Sequence, residues 1–219
     1  IREELEEIAE VCLKHNILII SDEIYEKLIY DGIKHVSIAS ISDEVREMTV
    51  LINGVSKAYA MTGWRLGYAA GPSEIIKQAS RIQSHTTSCV NSITQKAAIV
   101  ALDEGDDSVS VMREEFKKRR DFLVSKLNKI LNVKCFMPKG AFYAMPDVSY
   151  YLQNNIKGIE NSIDLCEYLL KEFKIAIVPG SAFGADNFVR FSYATSRDNI
   201  KEGLKRFEEG LKKCISRVR

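Results

Sequence analysis

The sequence predicts an α/β domain followed by a smaller α+β domain. In the first half, short continuous apolar runs alternate with segments of helical spacing. Continuous runs are typical of strands in a sheet that helices cover on both faces. In the second half the strand candidates are shorter and alternate with two helices, and a long charged helical segment joins the two parts. The boundary is placed within that segment, near residue 112, so the predicted domains are 1–112 and 113–219.

Apolar spacing predicts the individual elements in order. From Leu5 to Leu13 the apolar residues recur every three or four positions between glutamates, which predicts an amphipathic helix ending near Asn16. The run ILII at 17–20 predicts a buried strand. The same rules predict strands at 49–53 and 66–70 and helices at 73–84, 91–103 and 108–130. In the second domain they predict strands at 133–137, 141–145, 174–178 and 188–193 and helices at 162–173 and 197–216.

Composition and charge exclude several classes of function. Lys and Arg total 31 against 30 Asp and Glu, and the two signs are interspersed, so no basic patch for nucleic acid is predicted. The longest apolar run has six residues, whereas a membrane span needs roughly 18. The first ten residues carry five glutamates, so no secretory signal is predicted. Five dispersed cysteines without a CxxC pair predict reduced, mostly buried thiols in a cytoplasmic protein.

No common catalytic or metal motif is present. The sequence contains no GxxxxGK[ST], GxGxxG, HExxH or GxSxG pattern. His15, His35 and His85 are scattered, and none has a second candidate ligand at useful spacing. Each histidine is therefore interpreted as a surface or capping residue, and no metal site is predicted.

The segment SDEIY at 21–25 follows the first predicted strand. It places Asp22 and Tyr25 just past the end of a strand, where α/β sheets present functional groups at a crevice. The carboxylate and the phenol could share one ligand. Asp22 alone, with Glu23 and Glu26 after it, would equally suit a helix N-cap.

A second polar segment, SKAYAMTGWRLGY at 56–68, follows the next strand. A partly desolvated lysine such as Lys57, near an arginine, can have its pKa lowered and attack a carbonyl to form a Schiff base. Ser56 and Arg65 suit a phosphate group. Taken alone, such a lysine is usually a solvated loop residue, and Arg65 would pair with a nearby acid. Together with Asp22, these groups are the parts that a pyridoxal phosphate site needs.

Five ordered segments resemble the class I (fold type I) pyridoxal-phosphate-dependent aminotransferases, in particular the bacterial aspartate aminotransferase-like branch. They are DEIY at 22–25, SKAYAMTGWRLGY at 56–68, GAFY at 140–143, VPGSAFG at 178–184 and VRFSYATS at 189–196. The resemblance covers essentially all 219 residues. It implies the PLP-dependent transferase fold, with 1–112 as the C-terminal part of the large cofactor-binding α/β domain and 113–219 as the small C-terminal α+β domain.

The resemblance also implies a cofactor role for five residues. Asp22 would pair with the protonated pyridine nitrogen of pyridoxal 5′-phosphate, and Tyr25 would hydrogen-bond its phenolic oxygen. Ser56 and Arg65 would anchor the phosphate. Lys57 would hold the cofactor as a Schiff base and, once displaced by the amino substrate, would act as general base and acid at the α-carbon.

The substrate residue implied by the resemblance is Arg190, which would bind the substrate α-carboxylate. Without the family, Arg190 would be interpreted as a surface arginine at a strand centre. GAFY and VPGSAFG would be structural and pocket-lining segments, although the spacing of Gly180 and Gly184 alone indicates only a turn.

Family members are usually nearly twice this length, and the match places residue 1 well inside the family's pattern. The family's glycine-containing phosphate loop, its ring-stacking aromatic residue and the Asn of its NPxNPTG-like segment cannot be assigned here. The expectation is a cytoplasmic, homodimeric aminotransferase as the full-length protein, with small-molecule amino and 2-oxo acids as partners. The chain by itself is expected to bind pyridoxal phosphate weakly or not at all and to transaminate poorly.

Three functional hypotheses follow. The first is transamination between an amino acid and 2-oxoglutarate; SYATS and the segment SHTTS at 84–88 resemble the aspartate-type branch, while aromatic amino acids and alanine stay open as substrates. The second is another pyridoxal phosphate reaction on the same fold, a C–S β-lyase. The third is a catalytically incompetent scaffold fragment.

Overall fold

The computed structural model describes residues 1–153 and 158–216, apart from the side chains of the last two of these residues. The chain divides into two compact units, unit 1 (residues 1–113) and unit 2 (residues 114–219). The elements of unit 1 are α1 (Arg2–His15), β1 (Ile19–Asp22), α2 (Asp43–Arg46), β2 (Thr49–Gly54), β3 (Gly67–Ala70), α3 (Ser73–Thr86), α4 (Ser92–Glu104) and the first part of α5 (Asp106–Leu127).

Helix α1 forms where the apolar spacing predicts it. Asn16 ends the helix in the left-handed conformation, at φ 52°, and its N–H bonds to carbonyls of the last turn. On the buried side Ala9 packs with Ile38 and Val45, and Ile19 of β1 lies against this cluster. The first helix and the first strand therefore share one small apolar core.

The sheet of unit 1 has the order β1, β2, β3. Strands β1 and β2 are parallel, with Asp22 opposite Ile52. Strands β2 and β3 are antiparallel, with Gly54 opposite Gly67. The expectation that helices separate the strands is wrong for this second pair, since only a short 3-10 helix, Thr62–Trp64, lies between them. An antiparallel neighbour needs no helical crossover.

The first strand is confirmed, but its predicted burial is wrong within this chain. Strand β1 begins two residues later than the apolar run, at Ile19. Side chains alternate across a strand, so Ile19 faces the small core while Ile20 points the other way and is 72% exposed. Ile52 on β2 is 41% exposed. Among the described residues of unit 1, none covers this face of the sheet at Ile20.

The helices after the sheet agree with the spacing rules. The predicted segments 73–84, 91–103 and 108–130 correspond to α3, α4 and α5. Asn91 caps α4, because its side-chain oxygen accepts a hydrogen bond from the Thr94 N–H at 2.9 Å. The short helix α2 falls in a polar stretch for which no element was predicted. No helix in the described ranges is long and apolar enough to cross a membrane.

Unit 2 contains the rest of α5, an antiparallel sheet of order β5, β8, β7, a β4–β6 pair and the helices that follow α5. The bounds are β4 (Lys134–Cys135), β5 (Tyr143–Ala144), β6 (Pro146–Asp147), α6 (Ser149–Gln153), α7 (Ser162–Phe173), β7 (Val178–Pro179), β8 (Val189–Ser192) and α8 (Arg197–Ser216). Helices α7 and α8 match the prediction, and their buried faces pack together. Helix α6 was not predicted. The predicted strand 141–145 contributes β5, which pairs with β8, whereas the next two residues form β6, which pairs with β4.

The cysteines give a testable consequence of this packing. Burial raises the pKa of the Cys135 thiol to about 11 and that of Cys166 to about 12, whereas Cys89 is exposed. Because the thiolate is the reactive form, we expect Cys89 to be alkylated first at pH 8, with Cys135 and Cys166 slower by on the order of 100-fold. Peptide mass mapping after timed alkylation measures this order. Equal rates in the native chain would contradict the packing, and in guanidinium all five thiols should react alike.

Candidate active site

The sheet of unit 1 brings four of the predicted cofactor residues to one edge. Asp22 ends β1, while Ser56 and Lys57 follow β2. Because these strands are parallel, their carboxyl ends lie at the same edge. Strand β3 runs the opposite way and therefore begins at that edge, two residues after Arg65. The sequence did not predict this antiparallel direction of β3. Because of it, Arg65 lies at the same edge of the sheet as Lys57.

After β1 the chain forms a turn and not a helix, so the helix N-cap interpretation of Asp22 is wrong. Asp22 is exposed, and its Oδ1 accepts a hydrogen bond from the Ile24 N–H at 3.1 Å. Half-buried Tyr25 lies in the same turn, and its carbonyl accepts from the Leu28 N–H at 2.9 Å. No lysine or arginine in the described ranges pairs with the Asp22 carboxylate, which leaves it available to a cationic ligand.

A close approach of the backbone and a main-chain hydrogen bond fix the loop after β2. Gly54 is required there, because a Cβ atom at this position would lie 2.8 Å from the Leu66 carbonyl oxygen. The Met61 N–H bonds to the Val55 carbonyl at 3.3 Å and closes the loop around Lys57. Lys57 is half-buried as a result. The structure thus places Lys57 in a closed loop at the sheet edge, where its side chain is half-buried and not fully solvated.

Tyr59 anchors this loop to the helical layer. Its ring packs at Gly105, where a Cβ atom would come within 2.8 Å of the ring. Lys27, in the turn after β1, lies 5.4 Å from the centre of the same ring and donates a hydrogen bond to Asp106 at 2.5 Å. The hydrogen bond to Asp106 raises the pKa of Lys27 to about 12, so this residue stays a cation. The contact of Lys27 with the Tyr59 ring therefore connects the turn after β1 to the loop after β2.

The guanidinium group of Arg65 is available to bind an anion. It adopts the left-handed conformation, at φ 54°, directly after the 3-10 helix, and its Nη1 donates to the Thr62 carbonyl at 2.9 Å. The side chain is exposed. The interpretation of Arg65 as the partner of a nearby acid is wrong for the described part of the chain, since no carboxylate there pairs with it.

Arg190 lies in unit 2 on β8, and two aromatic rings contact its guanidinium group. The rings of Tyr143 and Phe183 each have their centre 4.3 Å from its guanidinium carbon. Stacked rings hold the guanidinium plane and leave its N–H edge for hydrogen bonding. Within residues 1–153 and 158–216, no acceptor is bonded to that edge. Tyr143 belongs to GAFY and Phe183 to VPGSAFG, so each of these segments contributes one ring.

Sequence reasoning missed one group of polar residues. Glu23, between Asp22 and Tyr25, is only 5% exposed, and its carboxylate is bonded to Ser21, His35 and Ser37. His35 is an exposed residue, as predicted, but its ring also bonds to Glu23, which was not predicted. The charge of Glu23 inside the segment DEIY was the available signal, but its hydrogen-bond partners lie up to 14 positions away.

Comparison with known proteins decides the family. The model of the aminotransferase class I and II family matches residues 2–207. The chain belongs to this family. An aspartate aminotransferase of Bacillus subtilis (strain 168) is 48% identical over 211 residues, covering 96% of this chain and 53% of that protein. The corresponding enzyme of Bacillus sp. (strain YM-2) is 47% identical with the same coverage.

Solved aminotransferases show the same fold. The crystal structure of the aspartate aminotransferase from Rhizobium meliloti superposes with a TM-score of 0.89 at 40% identity, covering 97% of this chain and 54% of that one. The aromatic aminotransferase from Pyrococcus horikoshii gives a TM-score of 0.88, also at 40% identity. The chain spans about half the length of the curated relatives it matches. The predicted family resemblance and fold are confirmed.

Proposed function

We propose that the whole protein is a pyridoxal-phosphate-dependent aminotransferase that transfers the amino group of aspartate to 2-oxoglutarate. The observation that carries this proposal is the position of the half-buried Lys57 at the same sheet edge as Asp22 and Arg65. The relatives named above as aspartate aminotransferases support the substrate. We further propose that residues 1–112 belong to the large cofactor-binding domain and 113–219 form the small domain.

The donor set at this edge fits the cofactor. Pyridoxal phosphate carries a basic ring nitrogen and a phosphate group. Within the described part of the chain, Asp22 has no cationic partner and Arg65 has no anionic partner. An exposed carboxylate and an exposed guanidinium at one edge are complementary to such a molecule.

Each residue then has a defined task. Bound pyridoxal phosphate supplies an electron sink for the substrate α-carbon. Asp22 would keep the ring nitrogen protonated, and the Tyr25 hydroxyl would bond the phenolic oxygen. Ser56 and Arg65 would hold the phosphate through hydroxyl and guanidinium donors. Lys57 would hold the cofactor covalently, and its amine, once displaced by the amino substrate, would act as general base and acid at the α-carbon.

The substrate side of the proposal rests on Arg190. A guanidinium with stacked faces and a free edge fits a carboxylate by two parallel hydrogen bonds. We assign the α-carboxylate of the amino and 2-oxo acids to it. The whole protein is proposed to be a homodimer, as in the family resemblance, and its free cysteines are consistent with a reducing compartment such as the cytoplasm.

The test compares two reactions of the same cofactor. The full-length protein is given aspartate and 2-oxoglutarate, and oxaloacetate is measured; in parallel it is given cystathionine, and pyruvate is measured. We expect oxaloacetate formation that depends on 2-oxoglutarate, and pyruvate release slower by on the order of 100-fold or more. Pyruvate as the main product would favour the C–S β-lyase. Neither product from a folded protein that retains pyridoxal phosphate would exclude both reactions.

A further inference from the structure

Glu23 is a buried carboxylate between two proposed cofactor residues. It is 5% exposed, whereas its neighbour Asp22 is exposed and Tyr25 is half-buried. A carboxylate this deeply buried is costly unless hydrogen bonds compensate for the lost water. Such a residue has no direct access to a ligand, so its role has to be exerted through the groups that it contacts.

Three side chains supply that compensation. The hydroxyl of Ser37 donates to Oε1 at 2.7 Å, and that of Ser21 donates to the same oxygen at 3.0 Å. His35 Nε2 lies 2.7 Å from Oε2 and must donate, since an ionised carboxylate only accepts. Burial raises the pKa of Glu23, but the bonds from Ser37, His35 and Ser21 outweigh it and hold the pKa below its usual value. The carboxylate is therefore ionised at neutral pH.

The backbone of Glu23 is tied down as firmly as its side chain. Its N–H bonds to the Ile52 carbonyl on β2 at 2.8 Å, and its own carbonyl accepts from the Glu26 N–H at 2.9 Å. Ser37 directly precedes the short 3-10 helix Ile38–Ser40, whose Ile38 is buried in the core with Ala9. A chain of contacts thus runs from that core through Ser37 to the turn after β1.

We infer that Glu23 is a positioning residue: bonded to Ser37, His35 and Ser21, it fixes the turn that presents Asp22 and Tyr25 at the sheet edge. The turn has no helix to stiffen it, and the side-chain bond within it runs from the Ile24 N–H to Asp22 itself. The orientation of the Asp22 carboxylate therefore depends on the path of residues 22–25. This role in cofactor binding rests on the proposed function, whereas the effect on the turn does not.

A metal ion is the rival explanation for this cluster. The ligating atoms of Glu23, Glu26 and His35 lie within 4.8 Å of one another. Both oxygens of Glu23 already accept hydrogen bonds, so the carboxylate is satisfied without a cation. Hydrogen exchange of the turn with and without EDTA separates these explanations, and protection that vanishes with EDTA would overturn the inference.

The decisive experiment is amide hydrogen exchange on the whole ligand-free chain, comparing Glu23→Gln with Glu26→Gln. Glu26 is a matched control, a half-buried carboxylate in the same turn to which no hydrogen bond is assigned in the structure. We expect Glu23→Gln to speed exchange at Ile24 and Leu28 about tenfold relative to α4, since a bond to a charged group is lost. Glu26→Gln should leave both amides unchanged. Equal exchange in the two variants would overturn the inference.

A second pair of variants tests whether the faster exchange is local or reflects a general loss of stability. Ser37→Ala removes one of the bonds to Glu23, and Ser37→Thr keeps the hydroxyl. We expect faster exchange at Ile24 in the first variant and restoration in the second. If exchange instead rises uniformly across unit 1 in Glu23→Gln and Ser37→Ala, Glu23 is only a structural residue.

Titration of the full-length protein with pyridoxal phosphate tests whether the turn affects cofactor affinity. Glu23→Gln should weaken pyridoxal phosphate binding about tenfold, while Glu26→Gln should not change it. Wild-type protein that binds no pyridoxal phosphate would contradict the proposed function, and the exchange data would still decide the role of Glu23 in the turn. Altered exchange with unchanged cofactor affinity would overturn the positioning role.

Discussion

Lys57→Ala is expected to abolish covalent retention of pyridoxal phosphate and to slow transamination by on the order of 10⁴-fold, since it removes the amine proposed to bind the cofactor and to move the α-proton. The loop around Lys57 is closed by bonds of the main chain, so the substitution should leave the fold intact. Reduction with borohydride, followed by peptide mass mapping, locates the adduct. An absorbance spectrum of the protein with added cofactor reports the same bond.

The matched control is Lys77→Ala on α3, an exposed lysine away from the sheet edge. It should retain the adduct and the full rate. An adduct that persists in Lys57→Ala, on any other lysine, would contradict the assigned role. The experiment should be run on the full-length protein and on the chain alone. Because preorganisation of the cofactor is expected to be incomplete in the chain alone, we expect a weaker absorbance band there.

Arg190→Lys is expected to weaken binding of a dicarboxylate such as succinate by about 100-fold, because lysine keeps the charge but loses the planar two-bond fork. The lysine would also lose the stacking of Tyr143 and Phe183 on a flat guanidinium. The measurement is a titration with succinate, followed by the KM values for aspartate and 2-oxoglutarate. Both KM values should rise, because both substrates carry the α-carboxylate.

Two further variants make this prediction specific. Phe183→Leu keeps the arginine and removes one ring, so we expect a smaller loss of succinate affinity, about three- to tenfold. Arg206→Lys, at a half-buried arginine on α8 that pairs with Glu202, should have no effect on succinate affinity. Unchanged succinate affinity in Arg190→Lys would remove Arg190 from the substrate site.

Much of the fold could be predicted from local sequence. Helices α4 and α7 and strand β2 lie within one residue of their predicted bounds, and α1 ends one residue before its predicted end. The hydrophobic period of a helix or strand is visible in adjacent residues. The direction of β3 could not be predicted, because pairing depends on residues that are distant in sequence. Helix α6 was missed, since five residues are too few to show a helical period.

The candidate site, like the fold, could be predicted only in part. Lys57, Asp22 and Arg65 could be predicted as site residues because their chemistry is combined in short motifs. The network around Glu23 was missed, since Ser37 and His35 stand in a segment without a recognisable motif and meet Glu23 only after the chain folds back.

Composition, period and motif chemistry are local properties, so the family, most of the elements and the proposed site residues could be predicted from the sequence. Tertiary contacts establish that an antiparallel β3 places Arg65 at the edge with Asp22 and Lys57, that Glu23 is buried and hydrogen-bonded, and that two rings lie over Arg190. Each of these depends on contacts between residues far apart in the chain. Strand pairing and side-chain burial create such contacts, and no local pattern specifies them.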